Sequence, residues 1–324
     1  MERLVFQSFD EYAAAVQHAD IRVTLCSREQ THWALDHLPL KDMSIQWGQD
    51  AGPNVVEGSS WTGGLTLFLP HTPDSIIGNG CRMDKGSVMV LEPGVEFCMA
   101  ASCANRWSSI FVPYDQLTAF NVPGTEINRK HRVLSPTAAG ERLHRLAENL
   151  GSVCQNVSDA AWSASAIAAA QGRIAEAACE ALGFQNEVAA SSGRRTLSRA
   201  QITRTALQIL EEYSDEHFSV NRLSTMIGIS QRTLRTAFDE YFGVGPAKYL
   251  KVRLLHQARK ILKRSDPYAT SVTEIAVGLG IWELGRLSHD YKVLFDESPS
   301  GTLWSKYGSK RTNSSRPVRP PSGR

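Results

Sequence analysis

Ser219-Val220-Asn221-Arg222-Leu223 opens a stretch of this chain that is written twice. It runs on through Gly228-Ile229-Ser230 to Leu234, Phe238, Phe242 and Pro246. The second version begins at Ser271-Val272-Thr273-Glu274-Ile275 and continues through Gly280-Ile281 to Leu287, Tyr291, Phe295 and Pro299. Leu223 and Ile275 are 52 positions apart, as are Gly228 and Gly280. Past the turn, Leu234 and Leu287, Phe238 and Tyr291, and Pro246 and Pro299 are 53 apart. A repeat with a one-residue slip in its turn marks two copies of one small unit.

Each copy carries helix signals. Ser271 with Glu274 three residues on has the spacing of a capping box, in which each side chain satisfies a free backbone donor of the other. Ser219 and Ser230 are the expected N-caps of the first copy. Gly228 and Gly280 supply turns where positive φ costs little. Leu234, Phe238 and Phe242, and then Leu287, Tyr291 and Phe295, fall at helical spacing. Phe238 and Phe295 are expected in the two small cores. The second helices should end before Gly243 and near Asp296, and Pro246 and Pro299 stand where a following helix can begin. Helix, glycine turn, helix is the DNA-binding helix-turn-helix layout, whose second helix enters the major groove. Such pairs also occur in helical proteins that never meet DNA. Two in register, joined by a basic helix, favour DNA.

These residues resemble the AraC-type family of bacterial transcription regulators. The tandem units, the long helix between them and the closing Phe295–Pro299 turn match in order, over about 110 residues. The resemblance implies a two-lobed domain whose recognition helices enter successive major grooves on one DNA face. Trp282-Glu283-Leu284-Gly285-Arg286 departs from the polar run common in the family. It looks most like the branch that includes the ethanolamine-operon activator.

The charge is divided along the chain. From Gly193 to Arg324 there are 22 Lys+Arg against 12 Asp+Glu, net +10, while the preceding part is net −8. The basic part suits a polyanion, through phosphate contacts and counterion release. With 324 residues, about two domains are expected. No apolar run approaches the roughly 18 residues that span a membrane, and the N-terminus lacks a signal-peptide pattern. The expectation is a cytoplasmic protein with reduced thiols and no membrane partner. All six cysteines precede Gly193 and none forms Cys-x-x-Cys.

Before Pro136 the pattern is different. Short apolar or alternating segments lie at Ile21–Cys26, His32–Leu38, Met43–Trp47, Gly64–Leu69, Ser87–Leu91 and Ser108–Val112. Gly, Pro, Asn and Asp separate them, as in a barrel or sandwich. The family resemblance implies a small cupin-like β-barrel sensor here. The fold class is therefore α+β: a cupin-like barrel domain with helices (1–135), a helical and dimerisation region (136–184), a linker (185–198), an all-α double helix-turn-helix domain (199–308) and a disordered basic tail (309–324).

Trp33, Trp47, Trp61, Arg82, Glu92 and Trp107 are the candidates for lining a ligand pocket, since pockets are mostly apolar with a few placed polar groups. Each aromatic taken singly is more often core. His32, His37 and His71 lack the His-x-His spacing of metal-binding cupins, so no metal or other cofactor is expected. The sequence holds no nucleophile elbow, Walker loop or zinc-protease motif, and the reading is not an enzyme.

The first recognition helix offers Gln231, Arg232, Arg235 and Thr236 to DNA, with Leu234, Ala237 and Phe238 turned inward. The family's positions put Arg232, Arg235 and Thr236 at the bases. The second offers Trp282, Gly285, Arg286, Ser288 and His289, with Gly285, Ser288 and His289 nearest the bases. The implied function is a sequence-specific transcription regulator, an activator responding to a small-molecule effector. Its partners would be promoter DNA, RNA polymerase and a second copy of the chain. Two alternatives remain open: a ligand-independent DNA-binding protein whose N-terminal part only dimerises, and an enzyme of the barrel domain.

Overall fold

The computed structural model describes residues 2–72, 74–119, 131–156, 162–183, 199–213 and 216–305. The expected linker and basic tail lie outside the described residues, apart from the linker's boundary with the helix at Arg199. The described residues fall into two compact units. One gathers those of Met1–Ser214 and Phe218–Leu250, the other those of Asp215–His217 and Lys251–Arg324.

In the first unit the order is β1 (Glu2–Phe6), α1 (Phe9–Ala15), β2 (Ala19–Leu25), β3 (Trp33–Leu40), β4 (Met43–Asp50), β5 (Asn54–Ser60) and β6 (Gly64–Pro70). It continues with β7 (Ile76–Gly78), β8 (Cys81–Met83), β9 (Val88–Leu91), β10 (Glu96–Ala101), β11 (Asn105–Pro113), α2 (Tyr114–Ala119) and β12 (His131–Leu134). Helices α3 (Ala138–Asn156), α4 (Ala164–Gly183), α5 (Arg199–Glu212), α6 (Val220–Ile227) and α7 (Gln231–Phe242) follow. Helix α8 (Pro246–Arg264) contributes its residues through Leu250 to this unit and the rest to the second. The second unit also holds α9 (Val272–Gly278), α10 (Leu284–Phe295) and α11 (Pro299–Trp304).

The strands form a seven-stranded sheet, β1-β3-β4-β11-β6-β9-β12, and a five-stranded sheet, β2-β5-β10-β7-β8. The strand pairings are antiparallel, as in β4 with β11, where Ile45 stands opposite Ile110. Among the described residues the expected cupin-like fold takes the form of two sheets, not a single closed barrel: neither edge strand of one pairs with an edge strand of the other. Strand β6 reads Gly-Leu-Thr-Leu-Phe-Leu-Pro and is buried along its whole length. It is covered on both faces, which is why it reads as a continuous apolar run and not an alternation.

One face of the seven-stranded sheet carries Leu38, Ile45, Leu67, Leu69, Val90 and Ile110 into a common core with Leu143 and Ala147 of α3 and Ile174 and Leu182 of α4. The indole Nε1 of Trp47 donates to the Ala147 carbonyl at 2.9 Å, so a polar group buried in this layer is satisfied. The five-stranded sheet is covered by the first helix-turn-helix unit. Val55, Cys98 and Ala100 share a core with Ile202 and Ala206 of α5, Leu223 of α6 and Leu234, Phe238 and Phe242 of α7.

Candidate nucleic-acid interface

The repeat seen in the sequence recurs in the hydrogen bonds. Ser219 Oγ accepts from Arg222 N–H and Ser271 Oγ accepts from Glu274 N–H, capping α6 and α9. Only the second is a full capping box, because Arg222 has no carboxylate to return the bond. Past the first helix, Gly228 N–H donates to Thr225 O and Ile229 N–H to Ser224 O. Fifty-two positions on, Gly280 N–H donates to Val277 O and Ile281 N–H to Ala276 O. Gly228 and Gly280 have φ of 78° and 73°, so both turns need the left-handed region. At the far end Gly243 and Asp296 close α7 and α10 with φ of 67° and 59°. The cap falls on glycine in one copy and aspartate in the other.

Each second helix buries one face. In α7 the buried residues are Leu234, Ala237, Phe238, Tyr241 and Phe242; in α10 they are Leu287, Tyr291, Leu294 and Phe295. Phe238 corresponds to Tyr291, and both are fully buried. Phe295 corresponds to Phe242. The Tyr291 hydroxyl pairs with Thr302 Oγ1 at 2.8 Å, so the added oxygen is satisfied.

The opposite face of α7 presents Gln231, Arg232 and Arg235 to solvent, with Thr236 partly covered. Ser230 Oγ caps the helix by accepting from Thr233 N–H. Gln231 Nε2 donates to Asn221 Oδ1 at 3.0 Å, locking the start of α7 onto α6. Thr236 Oγ1 donates to Arg232 O at 3.1 Å. Neither Arg232 nor Arg235 meets a carboxylate among the described residues, so both guanidinium forks are available to an incoming anion.

On α10 Gly285, Arg286, Ser288 and His289 are exposed as expected. One placement differs. The helix begins at Leu284, so Trp282 precedes it and stands 75% exposed ahead of its first turn. The capping residue is Glu283, which makes no side-chain cap. Arg286 is engaged: Glu283 Oε2 lies 3.4 Å away and Asp290 Oδ2 3.8 Å. Asp290 in turn meets Lys251 Nζ at 2.7 Å. The two contacts of Arg286 are long, and its guanidinium is exposed, so a phosphate can displace them.

Residues 223–303 match a family model described as a helix-turn-helix domain. The "Probable thc operon regulatory protein" of Rhodococcus erythropolis is 36% identical over 102 residues, 32% of this chain and 31% of that protein. The "XylDLEGF operon transcriptional activator" of Pseudomonas putida is 34% identical over 97 residues, 30% of each chain. "The crystal structure of a probable AraC family transcriptional regulator from Rhodopseudomonas palustris CGA009" is 30% identical, covering 32% of this chain and 95% of that one, with a TM-score of 0.29. Over this segment the chain is similar to AraC-family regulators. It spans about a third of the length of the curated relatives it matches. The segment is an AraC-type DNA-binding domain.

The ligand candidates scatter. Trp33 is 1% exposed and packs on Phe9, a core residue. Trp47 faces α3. Trp61 is half exposed and stacks over His18, whose ring lies flat on Phe111 at 4.0 Å. Arg82 is at the surface, 3.5 Å from Asp74. Glu92 is buried, 3.9 Å from Arg132. Only Trp107 lines the apolar cavity between the two sheets. That cavity measures about 60 Å³. Val56, Phe68, Ile76, Leu91, Phe97 and Met99 are among its apolar lining. The sequence reading missed its polar group. Asp50 is buried and accepts from Tyr12 Oη at 2.6 Å and Trp107 Nε1 at 3.3 Å on one oxygen, and from Asn54 Nδ2 and Asn105 Nδ2, both at 3.0 Å, on the other. Burial and the neighbouring Asp50 push the Tyr12 phenol upward, so it stays protonated and donates.

Among the described residues no helix is long and apolar enough to cross a membrane, and no group of three or more His, Cys, Asp or Glu could hold a metal ion.

Proposed function

We propose that this protein is a sequence-specific DNA-binding transcription regulator, an activator whose affinity for promoter DNA responds to a small effector. The observation that carries the reading is the doubled helix-turn-helix with an unpaired, solvent-facing Arg232 and Arg235 on its first recognition helix. A guanine offers two acceptors in the major groove that one guanidinium can satisfy at once. The names of the curated relatives, an operon regulatory protein and an operon activator, support the sign of regulation.

In this reading Arg232, Arg235 and Thr236 read bases, while Gln231 positions α7 and touches backbone. Gly285, Ser288 and His289 add little direct readout. Trp282 and Arg286 meet the sugar–phosphate backbone. Residues 1–135 sense, 136–184 mediate self-association, 185–198 link, 199–308 bind DNA, and 309–324 add non-specific affinity. RNA polymerase is the partner at the promoter, and the protein works in the cytoplasm, where that DNA lies.

Strand β10 supplies a route from effector to DNA. Phe97, Met99, Ala100 and Ala101 line the cavity between the sheets. Cys98 and Ala100 lie in the core shared with α5, α6 and α7. A single strand therefore separates cavity contents from the packing beneath a recognition helix. An effector acts only through a difference in affinity for two arrangements of that layer.

The test is selection of genomic fragments by the full-length protein at two salt concentrations, followed by footprinting. A recurring motif protected over two adjacent half-sites supports the reading. Binding that never distinguishes sequences contradicts it.

A further inference from the structure

A second opening lies on the other face of the five-stranded sheet, where α5 and α7 rest on it. This cleft measures about 420 Å³, in the range of small-molecule sites. One wall is sheet, with Asp20, Glu57 and Glu96; the other is helix, with Arg204, Glu211 and Tyr241. Register orders the sheet wall. Asp20 pairs with Ser59 and Ser59 with Glu96, so these side chains share one face in one row. Arg22, Glu57 and Cys98 form the next row on that face. Arg22 Nη2 meets Glu57 Oε2 at 3.1 Å and its Nη1 meets Glu211 Oε2 at 2.8 Å, which pins α5 over β2. Arg204 precedes Glu211 by two helical turns, about 10 Å along the same helix face. The two strand spacings from β2 to β10 are also about 10 Å, so Arg204 stands over β10. Burial raises the Cys98 thiol and the Tyr241 phenol, and the charge of Arg204 opposes both shifts, as that position requires.

The polar groups of the cleft divide into committed and free. Arg22, Glu57 and Glu211 hold one another. Among the described residues Asp20, Glu96 and Arg204 form no ion pair, and all three are exposed. Tyr241 is only 4% exposed, yet its hydroxyl makes no hydrogen bond and is not sealed off from the cleft. Buried polar groups are nearly always paired, so this phenol marks a place where a partner belongs. It stays protonated, and it donates. Beside it Arg204 brings further donors, and together they suit a carboxylate. Asp20 and Glu96, at the two ends of their row, suit cations. Resting on the regulator reading, we infer that the cleft binds an α-amino acid with a second cationic group at the end of its side chain, of the lysine class. The carboxylate meets Arg204 and Tyr241, the α-ammonium meets Glu96, and the distal ammonium meets Asp20. Charge favours this class. The cleft holds four carboxylates, Asp20, Glu57, Glu96 and Glu211, against Arg22 and Arg204, a net −2 that attracts a ligand of net positive charge. Length fits as well. Standard bond lengths set the two nitrogens of an extended lysine about 7 Å apart. The Cα atoms of Asp20 and Glu96 are about 10 Å apart, and their side chains can lean toward the ligand from either end. Such a ligand touches sheet and helix at once. It therefore binds only while α5 and α7 rest on the sheet, and it favours that arrangement over any other.

The experiment uses full-length protein and three probes, titrated at neutral pH and low salt by calorimetry: lysine, norleucine, which lacks the distal ammonium, and cadaverine, which lacks the carboxylate. Lysine should bind saturably, and norleucine and cadaverine at least ten-fold more weakly. Arg204→Gln and Asp20→Asn change exposed side chains, and melting should show both proteins folded. Arg204→Gln should weaken lysine about ten-fold, as expected for lost hydrogen bonds to a charged group, and so remove its advantage over cadaverine. Asp20→Asn should remove its advantage over norleucine. If one variant does not fold, the other decides. No saturable lysine binding, equal binding of norleucine or cadaverine to the unaltered protein, or an unchanged lysine affinity in a folded Arg204→Gln or Asp20→Asn protein would each overturn the inference. The same samples are assayed for sequence-specific DNA binding without probe. Selective DNA binding alongside any overturning result removes the ligand assignment and leaves the regulator intact. Loss of selective DNA binding in the unaltered protein removes the regulator reading itself.

Discussion

Gly80, in the turn between β7 and β8, lies against the ring of Tyr241 near the end of α7. A Cβ at position 80 would stand 2.7 Å from Tyr241 Cε2 and 2.8 Å from Cδ2, and Gly80 has a φ of 82°. Both the backbone conformation and the close approach require glycine. The tyrosine is buried there, and burial, with the thiol of Cys98 adding, holds its hydroxyl well above the usual phenol range. The five-stranded sheet and the first recognition helix meet through this contact.

Gly80→Val should therefore loosen the packing of α7 on the sheet. The expected loss is about 2 kcal/mol or more, from a strained φ and a steric clash together. Gly228→Ala is the comparison. Its φ is 78°, but nothing lies within 4 Å of the added methyl, so only the backbone term of roughly 1 kcal/mol applies. Urea unfolding of both variants checks this. A smaller loss for Gly80→Val than for Gly228→Ala would contradict the docking.

Phe238 and Tyr291 fill equivalent places in the two small cores. Phe238→Ala should cost roughly 3–5 kcal/mol, as for other buried phenylalanines. Tyr291→Phe removes only the hydroxyl that Thr302 Oγ1 meets, and about 1 kcal/mol is expected. Calorimetric melting separates the two. Similar melting temperatures for both variants would show that Phe238 is not a core residue.

The helix-turn-helix units were legible in the sequence because their signals are local. Caps, turn glycines and apolar residues three or four positions apart all act within one turn or two. Trp282 was misplaced by two residues, since Glu283 gives α10 no side-chain cap to announce its start. The strands were legible in part. Asn54–Ser60 reads Asn-Val-Val-Glu-Gly-Ser-Ser, with no clean alternation, and was not singled out. The cavity was not legible. Its polar end joins Tyr12 to Trp107 across 95 positions, a pairing that only strand register creates. Large aromatics were a poor guide because side chains alternate along a strand. Trp47 and Asp50, three apart on β4, face opposite sides.

Acid should destabilise the protein before its carboxylates titrate. Burial lowers the pKa of His18 from 6.5 to about 4, with His37 adding to it. Burial likewise lowers that of His71 from 6.5 to about 3, with His144 and Arg106 adding, although Glu148 Oε1 is 3.4 Å from its Nδ1. Unfolding frees both rings to bind protons. Between pH 6.5 and about 4 the unfolded chain holds more protons than the folded one, so stability falls as pH drops through this window. Each histidine contributes a slope of up to about 1.4 kcal/mol per pH unit there. His71→Gln should flatten the dependence measured by denaturation at pH 5 to 7. An unchanged slope would show that His71 is not held neutral.

The central claim is that the first recognition helix reads bases, and selection from a randomised DNA library at two salt concentrations tests it most directly. Arg235→Ala should relax base preference in one half of the selected site, by about 1–3 kcal/mol at the guanine it contacts. Ser288→Ala should leave preference in the other half nearly unchanged. Arg286→Ala should weaken all sequences alike and flatten the salt dependence, as a phosphate contact does. If the unaltered protein selects no motif, or if Arg235→Ala selects the same motif as the unaltered protein, the claim is contradicted.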